Sequence, residues 1–279
     1  ASSMVRSTGT VGEANATIEA IFVPRYRTPF QYGAYGRDGF NMNGGGMIDS
    51  YDSELGSYAS QAINGPDANG YLYASENGNI RSEGEIKLAG NAQLHGDAIT
   101  DTSGSFTFGG GTGMYGDTLR STERFLLDSI PSADIANAQA NNDASSNLTL
   151  TGTANYDPIT NALTAGSGDS IIFTSGIYYF SSVDFNSGGN LVVSPGADVT
   201  IYVTGSWDTS GGSIINSDGV PANLHIYSTG ADFDFSGGSH LCAAIFAPNA
   251  EMVVTGGSHF FGSVIARSFV NGGGTTLHF

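Results

Sequence analysis

A glycine-pair corner returns along this chain at roughly twenty-residue intervals, and few architectures can use such a pattern. Copies stand at Ser187-Gly188-Gly189-Asn190, Ser210-Gly211-Gly212-Ser213, Ser236-Gly237-Gly238-Ser239 and Thr255-Gly256-Gly257-Ser258, with a looser one at Asn271-Gly272-Gly273. Two of them extend to Gly-Gly-Ser-His, ending at His240 and His259, and each leads into an apolar run. Between corners the residues alternate with period two: Val199, Ile201 and Val203 against Thr200, Tyr202 and Thr204. Leu224 and Ile226 alternate in the same way, as do Phe233 and Phe235. Short strands joined by tight corners at a fixed period describe the coils of a β-solenoid. A lone coil buries too little to offset the entropy of ordering it, so each must stack on its neighbours.

Composition agrees with an all-β chain. Glycine supplies 41 of 279 residues, without the three-residue period of collagen. Hydrophobic residues at 39% and aromatics at 11% are too many for disorder. Twenty-six acids against nine basic residues give a net charge of −17, which excludes phosphate backbones as partners. The single cysteine, Cys242, sits in Leu241-Cys242-Ala243-Ala244-Ile245-Phe246-Ala247 and reads as a small core hydrophobe. No stretch reaches the ~18 apolar residues of a membrane span.

Ala243–Ala247 and Ser263–Ala266 are apolar on both faces, so something must cover the outside of the solenoid there. The segment Asp117–Ile130 is the expected cover: Leu119, Thr122, Leu126 and Ile130 share a helical face, and Pro131 stops the helix. A partner subunit is the other candidate. Asn137–Asn147 reads as a surface loop. The N-terminal part differs in character. Ala16–Val23 predicts a strand, the following segment is rich in aromatics, and we expect residues 1–58 to form a strand and a non-solenoid cap. Residues 59–279 are then the solenoid body, continuous with it in one domain.

Asp49-Ser50-Tyr51-Asp52-Ser53-Glu54-Leu55-Gly56-Ser57-Tyr58 and Ile86-Lys87-Leu88-Ala89-Gly90-Asn91-Ala92-Gln93-Leu94-His95-Gly96-Asp97-Ala98 resemble a β-helical surface domain of PilX-type, type IV pilus-associated proteins. Ile245-Phe246-Ala247-Pro248-Asn249-Ala250, Gly262-Ser263-Val264-Ile265-Ala266 and Leu277-His278-Phe279 are similar to choice-of-anchor A adhesin domains. Of the pilin-like hydrophobic helix of the former family we expect either that it was removed before Ala1 or that the protein is anchored another way. The resemblance implies display outside a bacterial cell, attachment, pilus proteins or further copies as partners, and no catalytic residues.

The chemistry-bearing residues fit that expectation. Tyr32, Tyr35, Tyr51 and Tyr58 lie in an aromatic-rich first quarter and are candidates for stacking on a glycan or surface ligand, or else for filling the cap. His240 and His259 hold equivalent repeat positions, so their rings should stack about 5 Å apart and could share a metal. Asp208 and Asp234 each stand two residues before a corner, where structural calcium is the one cation the oxygen ligands suggest. No cofactor is otherwise expected. A polysaccharide lyase or hydrolase is the enzymatic alternative, but no lysine or arginine lies between Arg124 and Arg267 to serve as base or partner. Thr149, Thr151 and Thr153 alternate as on an ice-binding face, yet neighbouring coils do not repeat them.

Overall fold

The structure is a computed structural model describing residues 3–11, 14–22, 30–122, 127–185, 188–237 and 240–279. It is an all-β fold. Ser3–Val11 and Ala14–Phe22 pair as an antiparallel hairpin, close to the strand expected over Ala16–Val23. From Ala34 onward, strands pair in parallel with the strand one circuit of the chain away, apart from the antiparallel pairings of Leu148–Leu150 with Ser170–Phe173 and of Asn155–Asp157 with Ala162–Thr164.

Three parallel ladders result. The first runs through Ser170–Phe173, Asn190–Val193, Ser213–Asn216, the starts of His240–Val254 and His259–Asn271, then Thr276–His278, Met47–Asp49, Gln93–Leu94 and Gly113–Met114. The second includes Gly176–Phe180, Val199–Val203 and Leu224–Ser228, and continues through the middle of His240–Val254 to Ile80–Ser82, Ala98–Asp101 and Thr118–Ser121. A third joins Ala162–Thr164, Ser182–Asp184, Trp207–Asp208 and Asp232–Phe235 to Glu85–Ala89 and Ser105–Phe108.

Alternation decides what faces inward. Val199, Ile201 and Val203 are buried while Thr200 and Tyr202 between them are not. Leu191, Ile214, Leu241, Phe260 and Leu277 occupy successive rungs of one buried row in a core running the length of the ladders. The glycine corners stack as well. A Cβ on Gly237, whose φ is +107°, would lie 2.4 Å from Gly211 Cα, so neither the backbone angle nor the space admits a larger residue.

Sequence order and stacking order differ, which corrects the expected cap at residues 1–58. Ala34–Asn43 pairs with His259–Asn271 on one side and with Ile80–Ser82 and Glu85–Ala89 on the other, so it is an inner rung. Met47–Asp49 likewise lies between Thr276–His278 and Gln93–Leu94. The strands of residues 34–121 therefore extend the stack beyond the C-terminal strands. The chain must then return to the opposite end, where Leu148–Leu150 pairs antiparallel with Ser170–Phe173.

That return supplies the cover required by the apolar run at Ala243–Ala247. Along the outside of the second ladder stand Tyr179, Tyr202, Tyr227, Phe246, Ile265, Tyr35, Arg81 and Ile99, one per rung. Phe30, Tyr32, Leu127, Ile130 and Ile135 pack onto them. The helix expected over Asp117–Ile130 is displaced. Thr118–Ser121 is a strand, residues 123–126 lie outside the described residues, and the helix is Ser132–Ala140 with Pro131 at its N-cap. Pairing along Ala98–Asp101 outweighs the weak helical tendency of a short segment, and proline starts this helix rather than ending one.

Asn137–Asn147, expected as a surface loop, spans the end of that helix and a short helix, Ala144–Asn147, with Ala138 and Ala144 buried. Between them Asn142 and Asp143 bond to the backbone of Ile177 and Tyr179, satisfying a strand edge as another strand would. Among the described residues no helix is long and apolar enough to cross a membrane.

Candidate functional site

The outward side of the first ladder carries most of the polar chemistry. Cys242, Phe261, His278 and Asp49 are register partners in one row, headed by Ile215, and His95 follows on the next rung. His240, His259 and Thr276 form the adjacent row. Over the lower part of this face the chain makes an excursion from Ser50 to Asn77.

Two buried His–Asp pairs fasten the excursion down. His278 Nδ1 lies 2.6 Å from Asp49 Oδ1, while Asp49 Oδ2 accepts from the Tyr58 hydroxyl at 2.9 Å and the Ala74 amide at 2.8 Å. The Tyr58 ring lies 3.8 Å from that of His278. Farther down, Asp67 Oδ2 is 3.3 Å from His95 Nε2, and the His95 ring is sandwiched between Tyr73 and Tyr115 at 3.8 and 4.2 Å. Carboxylates so deeply buried require such partners.

Above the first pair the excursion leaves a groove of about 620 Å³ against the sheet. Tyr51 and Tyr58 form one wall, Ile215, Cys242 and Phe261 the floor, and the turn at Asn216, Asp218 and Gly219 the far rim, with His240 also in the lining. The Tyr51 hydroxyl reaches to 3.5 Å from the Gly219 carbonyl across it. Burial pushes the Cys242 thiol up to about 12. Burial likewise raises the Tyr51 and Tyr58 hydroxyls, the second with help from the Asp49 carboxylate. These groups stay protonated near neutrality, so the groove offers an apolar, uncharged floor with an acidic rim. Its size falls within the range of small-molecule sites.

Of the tyrosines proposed for ligand contact, Tyr51 and Tyr58 come together here, their rings 5.7 Å apart and perpendicular. Tyr32 and Tyr35 do not. Both are buried beneath the covered face of the second ladder, where the Tyr32 hydroxyl accepts from Arg81 Nη1. They fill structure because the returning chain shields that face from solvent.

His240 and His259 stack as their repeat positions predict, with rings 5.4 Å apart. His278 continues the stack at 5.5 Å, and its Nε2 lies 3.1 Å from His259 Nδ1. Thr276 Oγ1 also reaches that His259 nitrogen. Burial lowers the His259 pKa, with His278 and His240 adding to it. Asp208 and Asp234 are partners on adjacent rungs of the third ladder. The Asp208 carboxylate already accepts from the Ser210 amide and hydroxyl. Among the described residues no three His, Cys, Asp or Glu side chains converge to hold a metal ion.

Phe261, Ile215, Asn216 and Asp218 were not singled out in the sequence. The repeat held a signal for one of them: Cys242 and Phe261 each stand two residues after the histidine of a Gly-Gly-Ser-His corner, at an outward position that is apolar in both copies.

The chain shows weak similarity to two solved structures. An ice-binding protein from the Antarctic ascomycete Antarctomyces psychrotrophicus aligns at 17% identity and a TM-score of 0.43, covering 89% of this chain and 94% of that one. The competence-associated pilin ComZ from Thermus thermophilus aligns at 16% identity and a TM-score of 0.36, covering 99% and 74% respectively. No curated protein matches the chain. A family model does match residues 121–279, from the end of the strand Thr118–Ser121 through the covering helix and every later rung. The chain therefore belongs to the family described as a domain of unknown function, DUF7305.

Proposed function

We propose that this protein is an extracellular bacterial surface module, structural or adhesive and pilus-associated, that works by binding rather than by turnover. In this reading the three ladders are the sides of a β-solenoid, a stiff body that holds the groove at a fixed place on its outer surface. The PilX-type and choice-of-anchor A resemblances enter here as part of the same proposal, with pilus components or further copies as partners. No cofactor is needed.

The observation that carries the reading is the construction of the groove. Its lining comes from the segments Tyr51–Ala59 and Ser213–Gly219 and from His240, Cys242 and Phe261, and hydrogen bonds at Asp49 fasten the excursion to the sheet. A preorganised concave site loses little ordering entropy on binding. The net charge of −17 suits a soluble display protein. A glycan remains the alternative ligand, although the floor formed by Ile215, Cys242 and Phe261 offers few groups to hydrogen-bond sugar hydroxyls.

Beads coated with the protein and passed over bacterial cells under flow test the proposal. Wild-type beads should be retained, and Ile215→Asp, which places a charge on the half-exposed groove floor, should abolish retention without lowering the melting temperature. Equal retention of both would remove the groove from attachment, and release of unsaturated or reducing sugars from polysaccharides would overturn the binding-only assignment.

A further inference from the structure

The two ends of the stack are finished differently. At one end all three ladders are closed. Leu148–Leu150 lies antiparallel on Ser170–Phe173, and Asn155–Asp157 lies antiparallel on Ala162–Thr164. On the remaining ladder the Asp143 and Asn142 side chains accept from the amides of Ile177 and Tyr179. At the other end Ser105–Phe108, Gly113–Met114 and Thr118–Ser121 pair with Glu85–Ala89, Gln93–Leu94 and Ala98–Asp101. Among the described residues no strand pairs with their outer side, so three parallel edges stop together, the kind of edge that invites a further strand.

The core is cut open at the same place. Phe106, Phe108 and Met114 are register partners of Ile86, Leu88 and Leu94, all fully buried, so the three belong to the inward rows. With no rung beyond it, Phe108 is 41% exposed, and Phe106 and Met114 are only partly covered. Arg120 closes one corner, its guanidinium 5.5 Å from the Phe106 ring centre and donating to the Gly104 carbonyl at 2.6 Å. The chain's own hairpin is poorly placed to close the rest. The Phe30 ring lies 6.3 Å from that of His225, six rungs of the second ladder away from Thr118–Ser121. Six rungs measure about 29 Å, and the eight residues from Phe30 back to Phe22 span about 26–29 Å at full stretch. The hairpin therefore barely arrives at the last rung and has no slack to lie across it.

We propose that this open end docks on the same end of a second copy, in a two-fold dimer that continues the sheet across the junction. Head-to-tail stacking is disfavoured, because the far end offers reversed strands and side chains in place of the next parallel rung. Assembly through one self-complementary end closes at two copies. A two-fold axis reverses strand direction, so the junction is antiparallel, and residues opposite one another share a face. The register that covers both phenylalanines of Ser105–Phe108 places Thr107 opposite Thr107 of the second copy. Phe106 then faces Phe108 of the second copy, an aromatic cross-strand pair formed twice about the axis. The inference names the face by which a further copy joins and uses no residue of the groove.

Sedimentation velocity on the full chain across a micromolar range tests it. The wild type should approach dimer mass, and Phe108→Asp should raise the dissociation constant at least about thirtyfold. Thr107→Cys keeps the test open if Phe108→Asp frays the last rung: a short bismaleimide should link two Thr107→Cys chains and leave the wild type, whose Cys242 is buried, unlinked. Ile159→Asp, at a 90% exposed position near the closed end, and Ile215→Asp in the groove should both leave the dimer intact. Monomer at every concentration would overturn the proposal. So would a series of higher oligomers, dissociation by Ile159→Asp, or a dimer in which Thr107→Cys chains fail to link.

Discussion

His278 and Asp49 stand 229 positions apart in the chain, yet the imidazole Nδ1 of one lies 2.6 Å from the carboxylate of the other, both fully enclosed. The pair joins the last strand to the start of the excursion that walls the groove. Asp49 also accepts from Tyr58 and Ala74, so its removal takes the acceptor from the Ala74 amide and from His278 Nδ1 and leaves Tyr58 only the Leu72 carbonyl. We expect Asp49→Ala to lower stability by about 3–5 kcal/mol in urea titration, the usual cost of leaving one half of a buried pair behind. A loss below about 1 kcal/mol would show that the excursion is held by packing alone.

Acid should weaken the fold through His259. Burial, with His278 and His240, places its folded pKa below the ordinary imidazole value of about 6.5. The unfolded chain therefore takes up a proton first as pH falls, and stability present above about pH 6.5 declines as pH drops toward the folded value. Unfolding free energies measured between pH 7.5 and 5.5 should decline for wild type and decline less steeply for His259→Gln. Parallel profiles for the two proteins would remove His259 as the origin.

Gly237→Ala should be among the more damaging single-methyl changes. The residue has φ +107° and its Cβ would collide with Gly211 backbone. The left-handed conformation costs about 1–2 kcal/mol and overpacking about 1–3 kcal/mol more. Gly196→Ala is the comparison: φ is +71° with nothing near the added carbon, so only the conformational part applies. The gap between their melting temperatures measures the corner stacking; equal losses would mean that the corners do not stack closely.

Cys242 should be nearly inert in the native protein. Its thiol is pushed up to about 12 by burial, so thiolate is scarce at pH 8. Iodoacetamide labelling followed by mass spectrometry should be slow for the folded chain and rapid in denaturant. An apolar ligand seated on the groove floor should slow it further.

Legibility in the sequence followed locality. The alternation at Val199, Ile201 and Val203, the corner at Gly237 and the stacking of His240 on His259 are each written within one repeat or between adjacent ones. The inner position of Ala34–Asn43 was not, because its neighbour His259–Asn271 is more than two hundred residues away and no local periodicity reports it. Pro131 was misassigned for a related reason: the same residue can end one helix or begin the next, and only the ladder claimed by Thr118–Ser121 decides. Tyr51 and Tyr58 were separable from Tyr32 and Tyr35 only once the returning chain was seen to lie over the second ladder.

The mid-stack position of Thr276–His278 also bears on how the protein comes to be made. Residues 34–121 emerge from a ribosome long before the strands on which Ala34–Asn43 and Met47–Asp49 rest. Until His259–Asn271 and Thr276–His278 are synthesised, those early strands have exposed edges and no template, and non-local pairing of this kind is slow. His259–Asn271 and Thr276–His278 are therefore a latch, and a nascent chain stalled short of them holds two half-stacks that nothing yet joins.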